Sequence, residues 1–434
     1  MKTTLHLLSI CLLASAGSFA YADPSETQSD APPTTTEEGH EKASSAGKGI
    51  AEHETDKTHL NSDLIPRDLP YLHILGTKNH KFYAGIGGVV KGTASFDFGH
   101  VLDNPNEFIV SAIPMTQPKG DGGKYQVSAQ QTELYLMAGF NPGEKYEVTA
   151  YVNGRFLNDN YGFQLENAYV GFMGFTIGYG YGLFCDTWAA PSTIDYEGPN
   201  AMIAVTNGIF DYRHKFGRWT VGAGIELPMA SFTHVDGINR KVNQRIPDIP
   251  LMVNYSWDNG NRIGASVMFR GLQYRNILKD KNETKFGWGV RLSGNGKLYG
   301  PLDFFFQGMI GKGSASYIQD LSGTGMDLVP CGDNGKMDAV RTYGLMGGLQ
   351  YNFSEKVFAS AAYSHVRAYA DKYNTGSTPW NDMYSYGQYA VGNVMWQITP
   401  MLQCGLEYIY GRRVNMDGAQ AHDNRLQTML QVSF

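Results

Sequence analysis

Side chains that suit lipid and side chains that suit water alternate along this chain with a period of two, and the wet positions carry charge. In residues 146–156, Tyr146, Val148, Ala150 and Val152 share one face, while Glu147, Thr149, Asn153 and Arg155 share the other. Residues 219–227 set Trp219, Val221, Ala223, Ile225 and Leu227 against Glu226. Residues 262–270 set Ile263, Ala265, Val267 and Phe269 against Arg262, Ser266 and Arg270, and residues 285–292 set Phe286, Trp288, Val290 and Leu292 against Lys285 and Arg291. That period belongs to a strand between two different surroundings. Charge at every second position is costly inside a packed core but costs little on a wall that meets water. The pattern points to an all-β chain closed around an aqueous passage rather than to a soluble sandwich.

The final strand repeats the alternation, with Leu426, Thr428, Leu430, Val432 and Phe434 on one face and Gln427, Met429, Gln431 and Ser433 on the other. A terminal aromatic closing such a strand resembles the carboxy-terminal insertion signal of bacterial outer-membrane β-barrels. Leu430, Val432 and Phe434 are then its signal residues, and the barrel assembly machinery and the lipid bilayer are implied partners. At the other end, Lys2, an apolar stretch from Leu5 to Ala14 and Ala20-Tyr21-Ala22 read as a secretory signal peptide over residues 1–22. Cys11 follows Ile10 rather than a small residue, which argues against a lipoprotein anchor. No later apolar run reaches the roughly eighteen residues that a membrane-spanning helix needs.

Residues 23–66 hold ten acidic residues against three lysines and are rich in Ser, Thr and Pro. They are expected to form a disordered acidic extension in the periplasm. Residues 67–434 are the expected barrel domain. His40, His53, His59, His73 and His80 cluster in and after the extension without ligand spacing and read as solvated side chains. Three cysteines remain beyond the leader, Cys185, Cys331 and Cys404, an odd number that argues against a disulfide framework. Pairing of Cys185 with Cys331 stays open. The pattern calls for no metal, no cofactor and no nucleic acid.

From Phe82 onward the connectors alternate between short and long. Seven short ones have hairpin chemistry: residues 141–145, the region around Gly174, 216–218, 258–261, 298–301, 354–356 and 399–400. Eight long ones fall near 100–123, 157–160, 184–207, 228–247, 275–284, 313–339, 371–384 and 416–421. Together they imply a transmembrane antiparallel β-barrel of sixteen strands with both ends on the periplasmic side. Sixteen strands leave an aqueous passage, whereas eight would fill with side chains.

In that frame the third external loop starts at Cys185 and reads Cys-Asp-Thr-Trp-Ala-Ala-Pro-Ser-Thr-Ile-Asp-Tyr-Glu-Gly-Pro to Pro199. With the preceding strand 163–170 and Gly178-Tyr179-Gly180-Tyr181-Gly182, it resembles DcaP-like outer-membrane porins, including members from Bacteroidota. The resemblance implies a homotrimer and a loop folded into the pore, with Asp186, Trp188, Asp195, Tyr196 and Glu197 at the constriction. It also implies dicarboxylates or other small anions as solutes. The chain departs from the family pattern at Tyr181-Gly182 and shows no coiled-coil heptads before residue 66.

Alternation places Arg155, Arg213, Arg262, Arg270, Arg291, Arg341 and Arg367 on the inner face, with Lys285 and Arg425. A basic ladder favours anions. Glu133, Glu147, Asp211, Glu226 and Glu407 share that face, so the alternative is that the arginines pair with carboxylates and hold loop and wall together. Tyr363, His365 and Arg367 form an inward patch in this reading, which Glu407 could approach. Passive diffusion of small hydrophilic solutes is the function expected. An anchoring role for the extension and a barrel hydrolase are the competing readings.

Overall fold

In the computed structural model the described residues are 72–76, 82–141, 146–332, 334–370 and 382–434. The leader, the acidic extension, residues 142–145 of the first turn and most of the 371–384 loop lie outside them. Alternation produces sixteen staves. They are β1 (Phe82–Phe98), β2 (Gly123–Ser128 continued by Glu133–Phe140), β3 (Val148–Asn158), β4 (Gly162–Phe172), β5 (Phe175–Tyr181) and β6 (Thr206–Phe216). Then follow β7 (Trp219–Glu226), β8 (Ile249–Ser256), β9 (Arg262–Asn276), β10 (Lys281–Tyr299) and β11 (Leu302–Lys312). The remainder are β12 (Arg341–Asn352), β13 (Val357–Tyr369), β14 (Tyr384–Gln397), β15 (Leu402–Asn415) and β16 (Gln420–Ser433). Each pairs antiparallel with its neighbours in chain order, and β16 returns to β1 from Ser433 opposite Val89 to Arg425 opposite Asp97. The sheet therefore has no free edge along the wall, as a lipid-embedded sheet requires.

The seam is completed by two features below it. The backbone of Phe434 exchanges both hydrogen bonds with Gly88, each at 3.0 Å. A short strand, Leu72–Gly76, pairs with β1 at residues 83–86, just beyond the end of β16. Gly88 is required there, because a Cβ at that position would meet the Glu133 carbonyl oxygen and the Phe434 ring, each at 2.8 Å.

Outward positions hold the large exposed apolar side chains. Aromatic residues mark the short-turn end of more than half of the staves. Phe140, Phe172, Phe175, Phe216, Trp219, Trp257, Tyr299, Tyr351, Phe353 and Trp396 are all exposed there, as a girdle at the membrane interface demands. The turn between β4 and β5 needs only Met173 and Gly174, both at positive φ (50° and 88°), the geometry that matches strand twist.

The third loop (182–205) folds into the barrel, and so do the first (99–122) and the sixth (313–340). Their own apolar residues drive this. Phe184, Met202 and Ile203 of the third loop pack with Tyr317, Ile318 and Leu321 of the sixth against wall residues Met268, Met309 and Met346. Phe108, Val110 and Ile113 of the first loop pack against Tyr389, Val391 and Ile409. One side of the lumen is thus a dry core, and only the rest can carry water.

Candidate pore constriction

The third loop is sewn to the wall by carboxylates placed at its two ends. Asp186 accepts from Arg262 at 2.6 Å, Arg291 at 3.1 Å and Ser293 at 2.5 Å, and it also caps the turn at Trp188 by accepting its backbone N–H. Burial opposes the charged form of Asp186, yet the two guanidinium groups hold its carboxyl below the ordinary value. At the loop tip, Glu407 on β15 accepts the backbone N–H groups of Ile194 and Asp195, both at 2.8 Å. Asp195 in turn accepts from the Phe108 N–H at 2.9 Å and the Tyr389 hydroxyl at 2.8 Å, joining the third loop to the first. Lys91 on β1 reaches into the lumen and donates to the Ile194 carbonyl at 3.0 Å. Burial, followed by the Glu407 charge, pushes Asp195 up to about 7. Glu197, enclosed beside Glu107 and Asp195, is raised well above the carboxylate range, mostly by burial. Tyr196 donates its hydroxyl to Glu166 and lies under the Arg155 guanidinium, 4.9 Å from its ring centre. Trp188 is exposed.

The basic residues of the wall are mostly engaged. Arg155 bridges Glu133 and Glu166. Arg270 binds Asp248 at 3.0 Å and Asp327 of the sixth loop at 3.2 Å, with no exposure on either side. Arg425 forks onto Asp97 at 2.6 and 2.8 Å across the β1–β16 seam. Arg213 points inward and is buried beside Asp211, and Lys285 shares the inward face of β10. For Arg155, Arg262, Arg270, Arg291 and Arg425 the pairing alternative therefore describes the wall better than an open ladder does.

Two assignments are corrected. Arg341 and Arg367 point outward. On β12 the buried inner positions are Thr342, Gly344, Met346 and Gly348, and on β13 they are Ser360, Ala362, Ser364, Val366 and Ala368. This is the wall under the packed loops. A Cβ on Gly344 would touch Ala201 at 3.3 Å, and one on Gly348 would meet Pro191 at 2.8 Å. Small side chains must face in there, so the large charged ones face out. Tyr363 and His365 share the outer parity, whereas Glu407 is buried inside. The wall separates them, and no catalytic grouping of these residues exists. Cys185 and Cys331 are both free, and the Cys185 thiol donates to the Val205 carbonyl at 3.3 Å.

Several residues of the constriction escaped the sequence reading. Lys91 and Asp97 stand on the inner face of β1 with Thr93 and Ser95, a period-two signal as clear as those of later strands. Glu107, Asp320 and Asp327 lie on loops, where alternation carries no information.

The sequence matches the model of the porin subfamily over residues 124–431. No curated protein matches it significantly. Among solved structures, the outer membrane channel DcaP of Acinetobacter baumannii superposes with a TM-score of 0.70, at 18% identity, covering 84% of this chain and 100% of that one. OmpT of Vibrio cholerae follows with a TM-score of 0.51 at 11% identity, covering 83% and 99%. An anion-selective porin from Comamonas acidovorans has a TM-score of 0.50 at 10% identity, covering 81% and 100%. These likenesses establish a shared fold, and the family match extends over most of the barrel. The chain belongs to the porin subfamily, the outer-membrane β-barrels that form channels.

Proposed function

We propose that this porin lets small hydrophilic solutes diffuse passively through the part of the lumen that the loop cores leave open, with a preference for small anions. One observation carries the reading: the third loop enters a closed sixteen-strand barrel and meets the wall at a constriction where Lys91 and Arg155 are partly exposed cations. The carboxylates beside them contribute less negative charge than their number suggests. Glu133 and Glu166 are bound by Arg155, and burial holds Asp195 and Glu197 toward their protonated forms. A desolvated cation at a narrowing concentrates anions there. The Comamonas porin, which shares the architecture, is anion-selective. Lys91, which meets no carboxylate among the described residues, is the cation left for a carboxylate of a small anion, because Arg155 is already balanced by Glu133 and Glu166. A homotrimer, insertion guided by Leu430, Val432 and Phe434 through the barrel assembly machinery, and a periplasmic position for residues 23–66 belong to the same proposal.

The test is the reversal potential across a planar bilayer holding a salt gradient. Chloride preference that weakens in Lys91→Gln and Arg155→Gln supports the assignment, and stepwise openings in threes support the trimer. A cation preference in the wild type removes the anion reading. Folded protein without conductance removes the open channel.

A further inference from the structure

The two arginines that face outward belong to a larger constellation. Along the outer surface of β11 to β16, at the external end, stand Lys312, Arg341, Arg367 and Arg412, with His365 and His422 among them. Backbone register makes them neighbours: Lys312 lies opposite Arg341, Arg367 opposite both Tyr343 and Tyr386, and Arg412 opposite Gln388 and His422. Tyrosine rings tie the cations into a chain. Arg341 stands 4.2 Å over the Tyr369 ring, Arg367 lies 5.3 Å from Tyr369 and 5.5 Å from Tyr386, and Arg412 lies 5.9 Å from Tyr386. His365 is held between Tyr343 at 5.7 Å and Tyr386 at 5.6 Å. Contacts of this kind fix the direction of a guanidinium without neutralising it.

Ion pairing separates this surface from the inner wall. Every buried arginine of the loop clamps meets a carboxylate. Among the described residues, neither Arg341 nor Arg412 does; Arg412 donates to the Gln420 amide oxygen at 3.1 and 2.5 Å. The carboxylate at the margin, Asp338, is taken by Lys312 at 3.3 Å. Two such guanidinium groups, Arg341 and Arg412, on the outside of a membrane barrel call for an anionic partner.

Height identifies that partner. The outer face of β13 reads Val357, Ala359 and Ala361, then Tyr363, His365, Arg367 and Tyr369. At ~3.4 Å per residue and a tilt of about 40°, Arg367 stands roughly 25 Å above Val357, the height of the apolar band. Tyr363 sits at its upper border, and the arginines stand just beyond it, level with Tyr343, Tyr369 and Tyr386, at the height of lipid headgroups. At the external end of other staves the outward residues include Phe96, Phe98 and Phe163, so a second barrel presents no charge complement from those faces. We infer that Arg341, Arg367 and Arg412, aligned by Tyr369 and Tyr386, form a site for the phosphate groups of lipids in the outer leaflet, with Lys312 at its margin. Guanidinium groups suit this ligand because each presents a fork of donors to phosphate oxygens.

The experiment uses the full chain in detergent and native mass spectrometry with bisphosphorylated lipid A, against a dephosphorylated lipid A as control. Wild-type protein should retain the bisphosphorylated form through conditions that strip the control. The triple variant Arg341→Gln, Arg367→Gln, Arg412→Gln should lose at least about tenfold in apparent affinity, since each phosphate contact that remains desolvated is worth more than a surface pair. Arg218→Gln, at a short turn on the opposite rim, should bind as wild type. Free inorganic phosphate at the same phosphorus concentration should fail to displace the lipid; displacement would mean a simple anion site and overturn the lipid assignment. Equal retention by wild type and triple variant overturns the proposal. So does a change of oligomeric state with lipid binding intact, which would make this face a contact between barrels. Single-channel conductance of the triple variant reports folding, because none of the three residues reaches the lumen.

Discussion

Replacing Asp186 by Asn tests whether the third loop is held by charge. The amide keeps the shape of the side chain and one acceptor oxygen, but it leaves Arg262 and Arg291 facing one another without a counterion. Arg291 has 1% side-chain exposure and Arg262 20%, so water can replace the lost charge at one guanidinium but scarcely at the other. Removing one partner of a buried ion pair costs about 3–5 kcal/mol. The low end applies here, because Arg291 keeps Ser266 and Ser293 as acceptors and Gln307 still grips the Asp186 backbone carbonyl at 3.0 Å. A loss of about 3 kcal/mol corresponds to roughly 3–6 °C in thermal unfolding, scaling the usual dependence down for a chain of this size. The heat-modifiable shift of the barrel in gel electrophoresis measures it. In the bilayer the same variant should pass anions more readily, since one negative charge has left the lumen, and its current should be noisier as the loop loosens. An unfolding temperature indistinguishable from wild type, together with an unchanged reversal potential, would refute the clamp.

Other consequences follow from the same contacts. Because Asp195 is pushed up to about 7, raising the pH through that value adds negative charge at the constriction, so anion preference should decline over that interval. Reversal potentials across the series check this, and Asp195→Asn should flatten the dependence. Glu407→Gln removes the second cause of that upward shift while keeping an acceptor for the loop-tip N–H groups, so the pH midpoint should move to lower pH. Arg425→Gln strands Asp97, which has no exposure, at the seam of β1 and β16. The expected cost is about 3–5 kcal/mol, read as a lowered temperature of heat modification; an unaltered temperature would show that the seam rests on backbone pairing alone.

The barrel was legible because a membrane wall repeats one rule, and the rule is written in each stave separately. Alternation in β3, β7, β9, β10 and β16 assigns the faces that the structure has, and the turn residues between strands supply the count. The same rule misplaced Arg341 and Arg367 for a reason that is itself structural. Alternation says only that two faces differ; which of them is wet was inferred from charge. On β12 and β13, under the third and sixth loops, the inner face is dry and holds mostly small residues, so charge on those two strands marks the outside of the barrel at its headgroup end. Cues for this inversion were present in Gly344 and Gly348 and in the Ser-Ala succession of β13, whose small side chains leave room for a packed loop. Loop acids such as Asp320 and Asp327 could not be placed by any such rule, because their partners stand on strands distant in sequence and their positions follow from how three loops share one lumen. The face that carries small residues is therefore the face that is covered, and in a wide barrel a line of small inner residues locates a loop core before any loop is seen.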